Sequence, residues 1–316
     1  MNDTLGATGL PVTRIGLGLA ALGRPAYINL GHALDVAGET DVAALERHAQ
    51  AVLDAAYAGG VRYFDAARSY GKAEAFLADW LAGRGLGRDD VTVGSKWGYT
   101  YTADWRTEVD VHEVKDLTAA TFRRQVAETR ELLGDHLRLY QIHSATLDSG
   151  VLDDRELLGE LARLRDSGVL IGLTTSGPDQ AETIERALEV GGFDAVQSTW
   201  NLLERSAGAA LAAAHDAGLG VMIKEALANG RLTDRGAVPE LDAAAREAGA
   251  TPDAVALAVV LAQPWVDVVL SGAATADQLE SNLGALSVEG VVAGRFDGLV
   301  EDPETYWEKR GELPWN

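Results

Sequence analysis

Eight short runs rich in Val, Ile and Leu recur along the chain, at 12–18, 61–65, 91–96, 137–143, 169–174, 195–198, 220–224 and 266–270. Helical stretches alternate with them, at 41–58, 71–82, 118–133, 155–166, 179–189 and 207–217. No other feature narrows the fold so far. Strands with little polar alternation are buried on both faces, as parallel strands are. Parallel neighbours need a crossover between them, and helices supply it. Glycines close several helices before the next strand, in AYAGGV, DSGVL and DAGLGV, where a helix end favours left-handed backbone. Eight such units in 316 residues predict an α/β fold of the (β/α)8 TIM-barrel type, one domain over 1–316, although length alone admits two. A doubly wound sheet would carry G-x-G-x-x-G at its first strand-to-helix turn. TRIGLGLAALG holds Gly16, Gly18 and Gly23 at the wrong third spacing, with no short turn after it. The GLG reads instead as a strand where backbones crowd.

Three connections that follow strands are long, at 24–40, 97–116 and 225–239, which puts them at the C-terminal face where barrel enzymes build their sites. The tail after Phe296 is placed to cover the same face, with Tyr306, Trp307 and Trp315 as docking residues. A net charge of −21 argues against nucleic acid, which needs a basic face, and against an anionic membrane surface. The chain has no cysteine, so disulfides, thiolate zinc and cysteine nucleophiles are excluded. His32, His48, His112, His136 and His215 show neither H-x-H nor H-E-x-x-H spacing, so no metal site is expected and a metal-dependent hydrolase is disfavoured. No apolar run reaches 18 residues and no leader pattern opens the sequence. The cytoplasm is the expected compartment.

Four polar residues stand at consecutive strand ends: Asp65 in RYFDAARSYG, Tyr70 five residues on, Lys96 in VTVGSKWG and His143 in LRLYQIHS. Singly, each has a plain reading as a cap or a solvated loop residue. Together, an acid, a phenol, an amine and an imidazole at neighbouring ends suit reduction of a carbonyl by hydride. The developing alkoxide needs a proton donor, and a phenol is a poor one near neutrality unless tuned. An ammonium beside it is expected to lower its pKa, and a carboxylate to aim the ammonium.

YFDAARSYG, GSKWG and LYQIHS resemble the tetrad motifs of the aldo-keto reductase superfamily, and the likeness runs from TLGATGLPVTRIGLG to the last strand and helix. The resemblance implies an N-terminal β-hairpin, long loops at the C-terminal face, and Asp65, Tyr70, Lys96 and His143 as the catalytic tetrad. It also implies NAD or NADP, extended across the strand ends. On that basis Thr174 and Thr175 fall where relatives carry Ser-Asn, Gln197 would hold the nicotinamide carboxamide, and Trp200 would lie near the ring. Ala226, Leu227, Asn229 and Gly230 would meet the pyrophosphate, and Ser271, Gly272, Ala273, Thr275, Gln278 and Asn282 the adenosine end. NADPH-preferring relatives commonly carry a basic residue where this chain has Thr275, which weakens NADP. Lys224 is expected either at this loop or in a structural ion pair.

Tyr27, Trp97, Tyr99 and Trp105, on the long loops, are the expected walls of a pocket for a small carbonyl compound or a sugar. The alternative is a cofactor-binding regulatory subunit without turnover, by analogy with potassium-channel beta subunits. The intact tetrad favours the enzyme. Oligomeric state, substrate and direction are left open.

Overall fold

The computed structural model describes residues 3–316. Eight parallel strands close into a barrel: β1 Ile15–Gly18, β2 Tyr63–Asp65, β3 Thr92–Trp97, β4 Leu137–Ala145, β5 Leu170–Thr175, β6 Ala195–Thr199, β7 Gly220–Lys224 and β8 Val268–Ser271. Each pairs with the next in sequence, and β8 pairs with β1 through Val269–Ile15 and Ser271–Leu17. The first six strands are followed by α1 Val42–Ala58, α2 Ala73–Arg84, α3 Ala119–Leu133, α4 Arg155–Asp166, α5 Gln180–Val190 and α6 Gly208–Asp216. Two helices separate β7 from β8, α7 Pro239–Ala248 and α8 Pro252–Leu261; α9 Ala276–Leu283 follows β8 and α10 Pro303–Gly311 lies in the tail. No helix among the described residues is long and apolar enough to cross a membrane.

Local chemistry sets the boundaries. Asp41 accepts from Ala44 N at 2.9 Å at the start of α1, and Asp154 accepts from Glu156 N and Leu157 N at the start of α4, where free amides seek an oxygen. Gly168 and Gly218, at the ends of α4 and α6, take φ of +94° and +90°. The expected run 12–18 divides in two. Pro11–Val12 pairs antiparallel with Asp3–Thr4 as a hairpin, and only Ile15–Gly18 joins the barrel.

Alternation along the strands sorts two cores. Phe64, Trp97, Tyr140, Ile142, Val196, Val221, Ile223 and Val269 face outward and pack with the helix layer. Tyr63, Leu139, Ala195, Met222, Val268 and Leu270 face inward and cluster with Leu5, Leu10 and Val12 of the hairpin segment. The hairpin therefore stoppers the N-terminal end. Leu5 is fully buried, and a Cβ on Gly220 would stand 2.3 Å from its Cγ, so glycine is required for the plug to seat. Inside the barrel, a Cβ on Gly16 would lie 2.7 Å from the Tyr63 ring, and one on Gly94 2.5 Å from its hydroxyl. At GLG the crowding is therefore chiefly by the Tyr63 side chain at Gly16 and not by converging backbones; at Gly18 a Cβ would meet Ser271 O only at 3.6 Å. Above this apolar floor come Asp65, Lys96, Gln141 and Gln197, all buried, and above them the open C-terminal mouth.

The long connections lie at that mouth. The segment 97–116 contains an antiparallel pair, Tyr99–Tyr101 with Glu113–Lys115, and 24–40 contains a helical turn, His32–Asp35.

Candidate active site

Asp65 is the hub of the buried polar layer. Its Oδ1 accepts from Tyr63 Oη at 3.2 Å, Gln141 Nε2 at 3.1 Å and Gln197 Nε2 at 3.3 Å. Its Oδ2 accepts from Lys96 Nζ, which also donates to Ala66 O at 3.1 Å and to the Tyr70 hydroxyl at 3.3 Å. A charge buried this deeply persists only if paired and hydrogen-bonded, and both partners are. Strand β2 contributes Tyr63 and Asp65, and β3, β4 and β6 contribute Lys96, Gln141 and Gln197, so closure of the barrel brings them together. Tyr70 comes from the turn after β2, held by Tyr70 N to Ala67 O at 3.1 Å and Lys72 N to Gly23 O at 2.7 Å.

His143 completes the set. Its ring stands edge-on to Tyr70, centroids 5.5 Å apart, and to Tyr99 at 4.9 Å. Burial first, and then the charges of Lys96, Lys224 and Arg24, hold its imidazole well below the usual range. It is neutral at physiological pH, with Nδ1 buried and unpartnered. The next residue, Ser144, has φ +54°, a left-handed conformation unfavourable for a residue with Cβ. Ser144 N donates to Thr174 Oγ1 at 2.7 Å, which pins the kink that turns His143 inward.

The expectation that Lys96 lowers the Tyr70 pKa is corrected here. Burial, followed by the Asp65 carboxylate, pushes the Tyr70 phenol well above its ordinary value, against a lowering by Arg24. The Lys96 ammonium donates to the phenol but is itself held by Asp65, and the net direction is upward. Tyr70 is therefore a proton-bearing group.

A cavity of about 610 Å³ opens over this layer. Of the sequence-nominated residues, Asp65, Tyr70, His143, Gln197, Ala226, Leu227, Asn229, Gly230, Ser271, Gly272, Ala273, Gln278 and Asn282 line it, as do Tyr27 and Tyr99. Lys96 sits beneath, behind Tyr70. The far end runs along the loop after β8 and the start of α9. There Ser271 Oγ donates to Asn282 Oδ1 at 2.7 Å, and Asn282 Nδ2 donates to Asp253 at 2.7 Å. The lining suits an extended dinucleotide. Asn229 Oδ1 is buried without a partner, and a Cβ on Gly272 would meet nothing within 4 Å, which leaves the backbone there open to close approach.

Six nominated residues lie elsewhere. Trp97 is fully buried and faces outward, 5.2 Å from the Phe122 ring; it follows inward-facing Lys96 and so must point the other way. Trp105 packs edge-on against Phe76 and donates to Thr40 O at 2.7 Å, tying two long loops together. Trp200 packs against Trp265 at 5.5 Å over Gly208, away from the cavity. Thr174 and Thr175 are fully buried, the first holding Ser144 and the second donating to Ser198 Oγ at 2.8 Å; Ser176 lines the cavity in their place. Thr275 caps α9, accepting from Gln278 N at 3.2 Å.

Sequence reasoning missed a ring of charge at the near end. Arg24 is buried, donates to Glu113 and to Ser69 O at 3.0 Å each, and lies over the Trp315 ring at 4.7 Å. Trp315 stacks on His112, centroids 4.1 Å apart. Arg310, from α10, grips Glu225 at 2.6 Å. Burial alone would raise the Glu225 carboxyl, but Arg310 and Lys224 overrule it and hold it at about 2. Burial pushes the Lys224 ammonium down to about 8, so it is mostly charged at neutral pH. These pairs join residues 89 and 85 positions apart, and no local pattern signals them. Among the described residues, no group of three or more His, Cys, Asp or Glu is arranged to hold a metal.

Comparison with known proteins identifies the family and the fold. Residues 14–292 match the family model described as the aldo/keto reductase family. The chain is 26% identical to an uncharacterized oxidoreductase of Bacillus subtilis, covering 90% of each chain. It is 24% identical to the NADH-specific methylglyoxal reductase of Escherichia coli, covering 90% of this chain and 93% of that one. Among solved structures, an aldo-keto reductase from Bacillus halodurans in its holo form superposes with a TM-score of 0.72 at 22% identity, over 98% of this chain and 95% of that chain. At that identity the likeness speaks for the fold.

Proposed function

The chain belongs to the aldo/keto reductase family, and from that premise we propose that it passes hydride between a nicotinamide cofactor and a small carbonyl compound, with Tyr70 as the proton donor. The observation that carries this reading is the contact of Tyr70 with Lys96 at 3.3 Å under a shared cavity, with Asp65 behind and neutral His143 beside it. When bound, the cofactor supplies a hydride at nicotinamide C4. The protein does the rest. Tyr70 and His143 present two polar groups to a carbonyl oxygen, and Tyr70 gives up its proton as negative charge develops there. Lys96 then stabilises the phenolate left behind, a role an ammonium fixed by Asp65 is suited to perform. Gln197, tethered to Asp65, would hold the nicotinamide carboxamide from the β6 side.

The cofactor reading is NAD(H) in preference to NADP(H). The far end of the cavity presents Asp253 and Asp277, while its cationic lining, Arg24, Lys224, Arg235 and Arg310, comes from other segments. A ribose hydroxyl can donate to a carboxylate; a 2′-phosphate beside two carboxylates is repelled. That an E. coli relative is named NADH-specific agrees.

The test is transfer of deuterium from 4-deuterated NADH to methylglyoxal and other small aldehydes. Wild type should label the product carbon. Tyr70→Phe should lower kcat by about 10²–10⁴, the usual worth of a positioned proton donor, with NADH affinity within a few-fold. Near-normal turnover in that variant ends the assignment of Tyr70.

A further inference from the structure

Among the described residues, cations at the cavity have carboxylates of their own, with one exception. Lys96 pairs with Asp65, Arg24 with Glu113 at 3.0 Å, Arg235 with Asp35 at 2.9 Å and Arg310 with Glu225 at 2.6 Å. Lys224 Nζ stands 4.0 Å from Glu225 Oε1, the oxygen Arg310 already holds, and its hydrogen bond goes to the neutral Thr199 Oγ1 at 2.9 Å. The cluster Lys224–Glu225–Arg310 thus carries one uncompensated positive charge facing the cavity.

Its position gives that charge a use. Gln197 pairs with Met222, and Thr199 with Lys224, so Lys224 sits one side-chain step outward of Gln197 on the neighbouring strand. A molecule reaching from Gly230 and Ser271 to Tyr70 and His143 passes the mouth of β7, where Lys224 is. We propose that Lys224 makes the protein discriminate between the two oxidation states of its cofactor, favouring the neutral reduced nicotinamide over the cationic oxidised one. This rests on the cofactor reading above. An uncompensated ammonium in a partly desolvated cleft repels a like charge more strongly than it would in water. In the reductive direction, the same repulsion opposes hydride donation and eases departure of the oxidised cofactor.

The measurement is the pair of dissociation constants for NADH and NAD⁺, by quenching of tryptophan fluorescence and by calorimetry, for wild type, Lys224→Met and Lys224→Arg, each checked for native near-UV dichroism. The ratio Kd(NAD⁺)/Kd(NADH) should fall at least tenfold in Lys224→Met, mainly through tighter NAD⁺, and stay near wild type in Lys224→Arg. For a two-electron couple, tenfold corresponds to about 30 mV in the potential of the bound cofactor. In stopped flow, Lys224→Met should speed hydride transfer and slow release of NAD⁺. If both forms weaken equally, the lysine holds phosphate and the proposal fails; an unchanged ratio also defeats it. If wild type binds neither form, the cofactor reading itself is wrong and the inference falls with it. Should Lys224→Met not fold, Lys224→Gln carries the same comparison.

Discussion

The Lys96–Asp65 pair shows how one contact can serve stability and chemistry by different rules. Removing one member of a buried pair typically costs about 3–5 kcal/mol, because the other is left charged and desolvated. Lys96→Met should therefore lower the melting temperature as well as stop turnover, while leaving cofactor affinity within a few-fold. Adding Asp65→Asn should restore much of the lost stability and none of the activity. Urea titration with parallel assays separates the two; recovery of turnover in the double variant would show that the pair is not needed as a charged unit. His143 makes a second residue-scale prediction. Its imidazole is held well below the usual range by burial and by nearby cations, so its ring resonances should not shift between pH 8 and pH 5.5. A titration inside that window, followed by NMR, would contradict the buried, cation-flanked setting described for it.

At the scale of elements, the alternation of strands and helices was readable because hydrophobic periodicity is local. The four tetrad candidates were readable for the same reason: each closes or follows a strand. What escaped was side-chain direction and long-range pairing. Trp97 could have been assigned outward from Lys96 alone, since successive residues of a strand face opposite ways. Arg24 and Arg310 could not, because their partners Glu113 and Glu225 reach them only after separate segments fold over the mouth. The strand interior offers its own test. Gly94 leaves space for the Tyr63 hydroxyl, 2.5 Å from where a Cβ would be. Gly94→Ala should cost about 1–3 kcal/mol by overpacking, and Tyr63→Phe in the same chain should return part of it. Strict additivity in the double-mutant cycle would show that the two do not touch.

At the scale of the whole molecule, Glu225 ties β7 to α10. Its carboxyl is held at about 2, against 4.5 ordinarily. A depressed carboxyl stabilises the folded state fully above the unfolded value and loses that contribution as pH falls toward the folded one. The shift corresponds to something on the order of 3 kcal/mol, offset in part by the cost of keeping Lys224 charged. Thermal melts from pH 7 to pH 3 should show Glu225→Gln less stable at neutrality and converging on wild type in acid. Parallel curves would exclude Glu225 as a source of acid sensitivity.

Leu5 and its hairpin have a kinetic consequence. With the bottom of the barrel stoppered, both reactants must share the upper doorway, and a dinucleotide bound as proposed, from Asn282 to Gln197, would occupy the deeper berth. A substrate resting over Tyr70 would then block its exchange. Turnover should be sequential and ordered, the nucleotide first on and last off, with each nucleotide form competitive against the other in product-inhibition plots.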